Sequence, residues 1–434
     1  MWYNLNVRKF FENFKRGLIF VRKILLMALV LTFLLSFTAV AEDVVLNYYS
    51  HAVENGTRLD IIEAFEKENP GIKVNLVELS ADTNKKLQTL NTILQAKDNS
   101  MDVFDSDVTW PPIFAAAGWV EPLEDYIDKE DLDDFLPGPI NAVDYMDHLW
   151  GIPYRTDAGM LYYRRDLLEK YDRNVPETWD ELIETSLYIM EREENVKGHA
   201  GSWAQYEGLT CNLMEFVWSY GGRVFDEDGN VVYNSPETVA AVKTMTDMIR
   251  KHEIMPDGIV NFHSGDARAP FFSGKLIFLR DWPSGWRSAQ DPEKSDVVGK
   301  VGIAPLPKGD PKERSYSTLG GWQIMVSKYS GNKEEAIKFA KFRASHKAQK
   351  MAALGLSHIP ARHSLYEDKD ILEFMPFLEE MYPAIVNSYP RPKSPYYAEI
   401  SNVLQVETQN AFVGNKTPEE AVADAEEKIK QIAK

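Results

Sequence analysis

The chain has 434 residues, of which 44% are hydrophobic, 12% aromatic and 26% charged, with a formal net charge of −18. That length accommodates two or three domains with full cores, and the composition excludes a disordered chain. The acidity disfavours nucleic acid and anionic membranes as partners, and a single cysteine excludes a disulfide framework.

The N-terminus sets the compartment. Arg22-Lys23, an apolar run from Ile24 to Leu35 and the ending Ala39-Val40-Ala41 combine a basic flank, an apolar core and an Ala-x-Ala cleavage pattern. They predict a signal peptide over residues 1–41 and a periplasmic or extracellular protein. Residues 1–21 form a long aromatic prefix, and translation is expected to start downstream of it, at Val21. Cleavage takes six basic residues and one acidic residue away, leaving the mature chain at −23. Cys211 has no histidine near it in sequence and reads as a small packed residue, not a nucleophile.

Val44 to Tyr49 reads as the first strand, and Thr57 to Asn69 as a helix stopped by Pro70-Gly71. Ile72, Val74 and Leu76 alternate as a second strand, Leu87 to Ala96 carries a helical apolar stripe, and Met101 to Asp107 is a third strand. Strand–helix alternation implies a mainly parallel sheet that binds ligands at the carboxyl ends of its strands, where Asp107 falls. Further on, the polar knot Arg155-Thr156-Asp157 precedes an apolar run Met160 to Tyr163. That run is expected to be a strand with Arg155 and Asp157 at its entrance, followed by a helix capped by Asp166.

Thr178-Trp179-Asp180-Glu181 is a capping box opening a helix through about Glu193. Glu215 to Tyr220 belongs to another helix, ended by Gly221-Gly222, and Phe225 to Tyr233 reads as a hairpin on an Asp-Gly turn. The acids of that turn imitate a calcium loop, but Val231 stands where the loop needs glycine, so no calcium site is expected. Leu276 to Trp282, Val301 to Pro307 and Leu319 to Val326 are buried strands, and the rest is mostly helical.

No HExxH, G-x-S-x-G, Walker loop or spaced His/Cys set is present. Asp105 and Asp107 share one face of a strand, which leaves open a glycoside hydrolase with paired carboxylates. What recurs is tryptophan in or near loops (Trp110, Trp119, Trp203, Trp282, Trp286, Trp322), with isolated acids and arginines at strand ends. A sugar ring has an apolar C–H face and a hydroxyl rim, which aromatic faces and ionised side chains recognise respectively.

The segments FEKENPGIKV (65–74), DVTW (107–110), GWVEPLEDY (118–126), DAGMLYYRRDLLEKY (157–171), PETWDEL (176–182), QYEGL (205–209), VGIAPLP (301–307), TLGGWQI (318–324) and PRPKSPYY (390–397) together resemble the extracellular solute-binding proteins of ABC sugar importers. The likeness is greatest to the trehalose/maltose-binding branch of hyperthermophiles, and frequent Lys and Glu also point to a thermophile. It implies an α/β, type II periplasmic-binding-protein-like fold: two α/β lobes joined by a hinge of crossover strands, with the ligand cleft between them. Lobe 1 is expected at 44–155 and 317–370, and lobe 2 at 156–316 and 371–434.

Carried over position by position, the resemblance implies that Glu54, Lys86, Asp107, Arg155, Asp157, Trp282, Gly321, Trp322 and Arg391 contact a sugar. Asp107, Asp157 and Arg391 would grip hydroxyls, Trp282 and Trp322 would stack, and Gly321 would admit the ligand to the backbone. Arg155 stands where the pattern has Tyr, and Lys86 where it has Arg; a lysine cannot offer the bidentate arginine fork. The implied function is a non-enzymatic, monomeric receptor that takes a glucose-containing disaccharide to the membrane permease of an ABC transporter. Trehalose ranks first, then maltose, sucrose or glucose; no cofactor, metal or nucleic acid is implied. The alternatives are a secreted glycoside hydrolase or a binding protein for a longer oligosaccharide.

Overall fold

The computed structural model describes residues 3–35, 43–51 and 56–433. Tyr3–Leu35 form one helix, and among the described residues no helix is long and apolar enough to cross a membrane. The expected cleavage point at Ala39-Val40-Ala41 lies outside the described residues, as does Glu54.

In chain order the strands are β1 (Val44–His51), β2 (Ile72–Leu79), β3 (Val103–Asp107), β4 (Asp144–Tyr145), β5 (His148–Leu149) and β6 (Ile152–Ala158). They continue as β7 (Met160–Arg164), β8 (Lys197–Ala200), β9 (Leu276–Asp281), β10 (Val301–Ala304) and β11 (Leu319–Val326). One lobe is built on a five-stranded sheet, β2-β1-β3-β11-β6, and the other on a four-stranded sheet, β10-β7-β9-β8; β4 and β5 pair by themselves. β3 and β11 are buried along their whole length, as strands covered on both faces must be. β11 ends in the apolar run Ile324-Met325-Val326, whereas β3 buries Asp105, Ser106 and Asp107 after Val103-Phe104. Phe339 packs edge-on against both Tyr48 and Phe65 at 5.0 Å in the first lobe, and Trp179 stacks on Phe216 at 3.8 Å in the second.

Local chemistry explains most element ends. The Thr178 capping box forms as read and opens the helix Trp179–Met190, and an equivalent box at Thr417 opens Pro418–Ile432. Four expectations need correction. The sheets are not mainly parallel: β1–β3 and β8–β9 pair parallel, but β11 runs antiparallel to β3 and β6, and β7 antiparallel to β9 and β10, because β11 and β7 enter from the crossings between lobes. The second helix spans Thr83–Gln95, capped by Asp82, so its polar first turn precedes the apolar stripe that marks it. Asp166 is not a helix cap; its carboxylate takes two hydrogen bonds from Arg164, 2.8 and 2.7 Å, on the helix Arg165–Lys170. Arg155 and Asp157 do not stand at a strand entrance but inside β6, a strand of the first sheet.

The lobes meet at three adjacent crossings. Gly159 separates β6 of one sheet from β7 of the other, and Ser317 precedes β11. Ser317 Oγ donates to the Gly159 carbonyl at 2.7 Å, while Tyr389 N donates to Ser317 O at 2.7 Å and Leu319 N to Tyr389 O at 2.8 Å. A buried ion pair braces this junction. Arg280 Nε donates to Glu215 Oε2 at 2.7 Å and its Nη2 to Glu215 Oε1, which also accepts from Thr318 N at 3.0 Å. A Cβ on Gly159 would fall 2.0 Å from Glu215 Oε1 and 2.5 Å from Arg280 Nη2, so the crossing has no room for a side chain there.

Candidate functional site

Strand register assembles one wall of the site. Trp322 of β11 pairs with Asp107 of β3 on one side and Arg155 of β6 on the other, while Gly320 pairs with Asp157. Directly opposed residues share a sheet face, and so do residues two apart along a strand. Asp107, Trp322, Arg155 and Asp157 therefore project together, although they come from three separate stretches of chain. The alternation passes through Gly320, over which Trp282 of the second lobe lies: a Cβ there would meet the Trp282 ring at 2.7 Å. Arg280 lies 4.1 Å from the Trp282 ring centroid, and Tyr162 Oη donates to the Trp282 carbonyl at 2.9 Å, so ring and backbone are both held.

The Trp322 ring is enclosed by His51, Trp110 and Lys86. His51 and Trp110 meet it edge-to-face at 4.0 and 5.6 Å, and Lys86 Nζ lies 4.2 Å from its centroid. Lys86 is buried, which pulls its ammonium down to about 8, with the charges of Arg155 and Arg58 acting in the same direction and Asp105 and Asp107 against it. Its Nζ and Asp105 Oδ2 each lie 3.2 Å from His51 Nδ1.

Arg391 joins the two lobes. Its Nη2 lies 3.3 Å from Asp107 Oδ1, which also accepts from Thr109 N at 3.1 Å and Thr109 Oγ1 at 2.8 Å. Its Nη1 donates to Glu207 at the start of the helix Glu207–Ser219, where Tyr397 Oη and Ser401 Oγ also donate, the latter at 2.6 Å. Burial and the nearby Asp107 raise the Glu207 carboxyl, against the pull of Arg391 and the two hydroxyls. Beside this bridge, Arg155 Nη2 lies 3.1 Å from Asp157 Oδ2 and Nη1 contacts His358 Nε2. Asp157 Oδ1 and Arg155 Nε are buried with no hydrogen-bond partner among the described residues. An acceptor and a donor left open side by side suit a ligand that carries both, as a hydroxyl does.

Between the helices Thr83–Gln95 and Tyr397–Phe412 the space continues as a cavity of ≈ 390 Å³, bounded by Trp110, Glu207 and Tyr397 and by carboxamides that include Asn91 and Gln405. Asn91 Oδ1 and Gln405 Oε1 are likewise buried without partners among the described residues.

The structure thus brings together Lys86, Asp107, Arg155, Asp157, Trp282, Gly321, Trp322 and Arg391; Glu54 lies outside the described residues. Glu207, His51, His358 and Tyr397 were not foreseen. His51 ends β1 as Asp107 ends β3, so the strand-end rule that points to one points to the other. Glu207 carries no comparable local signal, because its partner Arg391 is 184 residues away. Gly321 has φ +133°, and a Cβ would meet Arg155 O at 2.7 Å and Thr156 Cα at 3.0 Å. Since both are backbone atoms, Gly321→Ala should destabilise the fold by about 1–3 kcal/mol, read as a lower midpoint in urea unfolding. An unchanged midpoint would show that β11 shifts freely.

Two α/β lobes joined by adjacent chain crossings, with charged and aromatic side chains facing each other across the junction, define a clamp that captures a small solute. The chain belongs to the bacterial extracellular solute-binding protein family, whose model matches residues 52–350. It is 31% identical over 371 residues to a probable ABC transporter-binding protein of Deinococcus radiodurans, covering 83% of this chain and 87% of that one. Among solved structures, maltose-bound MalE3 of T. maritima superposes with a TM-score of 0.86 at 37% identity, over 89% of this chain and 99% of that one. A solute-binding protein of Thermotoga lettingae with bound α-D-tagatose gives 0.81 at 27% identity, over 90% and 100%.

Proposed function

We propose that the protein is the extracytoplasmic receptor of an ABC sugar importer, binding a glucose-containing disaccharide between its lobes and presenting it, as a monomer, to the membrane permease. The carrying observation is the shared face of Asp107, Trp322, Arg155 and Asp157, closed from the other lobe by Trp282. Aromatic planes and open charged hydrogen-bonding groups are what the two surfaces of a pyranose require. Trehalose and maltose lead, the latter because it is the ligand bound to MalE3; sucrose and glucose follow. Calorimetric titration of the unfolded-and-refolded mature chain against these four sugars tests the reading. One-to-one binding of a disaccharide without hydrolysis supports it; silence across the panel, or reducing-sugar turnover, overturns it.

Turnover is not expected, because Asp105 is committed elsewhere. Tyr48 and Ser50 donate to it, and although burial alone would raise its carboxyl, the contact with His51 and the charges of Arg58 and Arg343 hold it well below the usual range. A carboxylate held so firmly ionised is a poor proton donor to a leaving group. A longer oligosaccharide is the second reading, favoured by the carboxamide-lined cavity beyond Trp110. Tighter binding of a trisaccharide than of either disaccharide would select it.

Burial, reinforced by Asp107 and opposed by Arg155, Arg268 and Arg280, pushes the Asp157 carboxyl from 3.8 up to about 6. An acid whose folded-state value is raised favours folding only while it is protonated, so its contribution falls as pH climbs from about 4 through 6. Sugar hydroxyls donate best to the ionised form, so affinity should rise with pH through 6, by up to about tenfold per unit below it. Binding at pH 5 should then release protons, visible as different heats in buffers of different ionisation enthalpy. Identical heats, with identical affinity at pH 5 and 7, would remove Asp157 from the ligand's partners.

A further inference from the structure

A second and larger cavity, ≈ 500 Å³, lies on the other side of the hinge strands. Leu319 lines it while its neighbour Gly320 meets Trp282, so the strand alternation that turns β11 toward the sugar cleft at Gly320 turns it toward this cavity at Leu319. Its walls come from both lobes and from the third crossing: Pro112 and the helix Pro137–Val143 on one side, Trp218 and Phe225 on the other, Tyr389 between. Its volume falls within the range of small-molecule sites.

The charge of the lining is one-sided. Arg223, Arg391 and Lys393 line the cavity and, among the described residues, no carboxylate does, in a chain whose net charge is −18. Arg223 lies 5.2 Å from the Tyr316 ring centroid, with its Nη2 2.9 Å from the Tyr316 hydroxyl, and Lys393 Nζ donates to the Asn141 carbonyl at 3.0 Å. Arg391 spends its Nη groups on Asp107, Glu207 and the Leu319 carbonyl, but its Nε is buried with no partner among the described residues. A donor of a guanidinium left open in an apolar wall is costly unless something accepts from it.

We propose that this rear cavity is a second binding site, separate from the sugar cleft, for a small amphipathic anion: an aromatic or aliphatic body against Leu319, Trp218 and Phe225, with a carboxylate or sulfonate facing the three cations. Beside a buried cation such as Arg391 the charge pairing is stronger than at the surface. Because Arg391 belongs to both walls, occupancy of the two sites is linked, and each ligand must alter the other's affinity by the same factor if it alters it at all.

The probe is 8-anilinonaphthalene-1-sulfonate, followed by fluorescence on the refolded mature chain, with N-phenyl-1-naphthylamine as the uncharged counterpart. The sulfonate should bind at one saturable site, at least about tenfold tighter than the neutral dye, a difference of about 1.4 kcal/mol. Ala142→Phe, which fills the cavity from the helix Pro137–Val143, should abolish binding of both dyes while disaccharide binding persists. Lys393→Met should weaken the sulfonate alone; Lys393 is exposed, so this variant carries the test if Ala142→Phe does not fold. Absence of a saturable site, equal affinity for both dyes, indifference to both substitutions, or strictly competitive displacement of the dye by disaccharide, with no complex holding both, would each overturn the proposal. A protein that binds no sugar of the panel but shows this dye behaviour would retain the rear site and lose only the sugar reading.

Discussion

Replacing Glu215 by leucine should cost about 3–5 kcal/mol of folding free energy, the largest effect expected of any single substitution at the site. Glu215 and Arg280 are 1% and 3% exposed, so removing the carboxylate leaves a guanidinium buried without its counter-charge. The loss reaches further than the pair, because Glu215 Oε1 also takes the Thr318 amide where the chain crosses between lobes. Replacing both partners, Glu215→Leu with Arg280→Met, should restore most of the stability, since two apolar groups leave no charge stranded. The restored variant should still bind sugar less well, because Arg280 no longer supports the Trp282 ring from 4.1 Å. Urea unfolding of the three variants measures the first claim. A single-mutant loss below about 1 kcal/mol would mean that water replaces the carboxylate at the hinge.

Asp107→Ala should weaken disaccharide binding by about 1–3 kcal/mol, tenfold for each 1.4 kcal/mol. Two losses coincide there. The ligand loses a charged acceptor, and Arg391 keeps only Glu207 as its carboxylate partner, so one end of the bridge between the lobes comes free. Asp107→Asn keeps the shape and an acceptor for Thr109 while removing the charge, and should fall between wild type and Ala. Calorimetry on the three proteins decides it; unchanged affinity of Asp107→Ala for every sugar that binds would take Asp107 out of the site. Folding should change less than binding, since Arg391 retains its hydrogen bonds to Glu207 and the Leu319 carbonyl.

The strands and capped helices were legible because their signals are local. Thr178 and Glu181 sit three residues apart, and the alternation of Ile72, Val74 and Leu76 needs no knowledge of the sheet order. Asp107 was legible for the same reason, as the last residue of a strand that the β-α-β pattern orients. From sequence alone Arg155 and Asp157 read as a polar group at a strand entrance, because a charged pair inside a buried strand makes sense only once Trp322 and Gly320 are known to lie opposite. The Asp107–Arg391–Glu207 bridge is beyond local reading altogether. Its members come from β3, from the segment after the third crossing and from the first turn of a helix, and only the hinge brings them together.

Cys211 gives the chain a chemical clock. It is the only thiol in the sequence, it is buried, and its backbone carbonyl accepts from Thr318 Oγ1 at 2.9 Å beside the crossing into β11. Burial pushes the thiol up to about 12, so neither access nor ionisation favours attack while the lobes are packed as described. Alkylation must then wait for that packing to part, and the labelling rate counts openings of the junction without any engineered reporter. A sugar that holds the lobes together lengthens the interval between openings, so the ratio of labelling rates with and without ligand reports how strongly binding in the cleft restrains motion at the hinge.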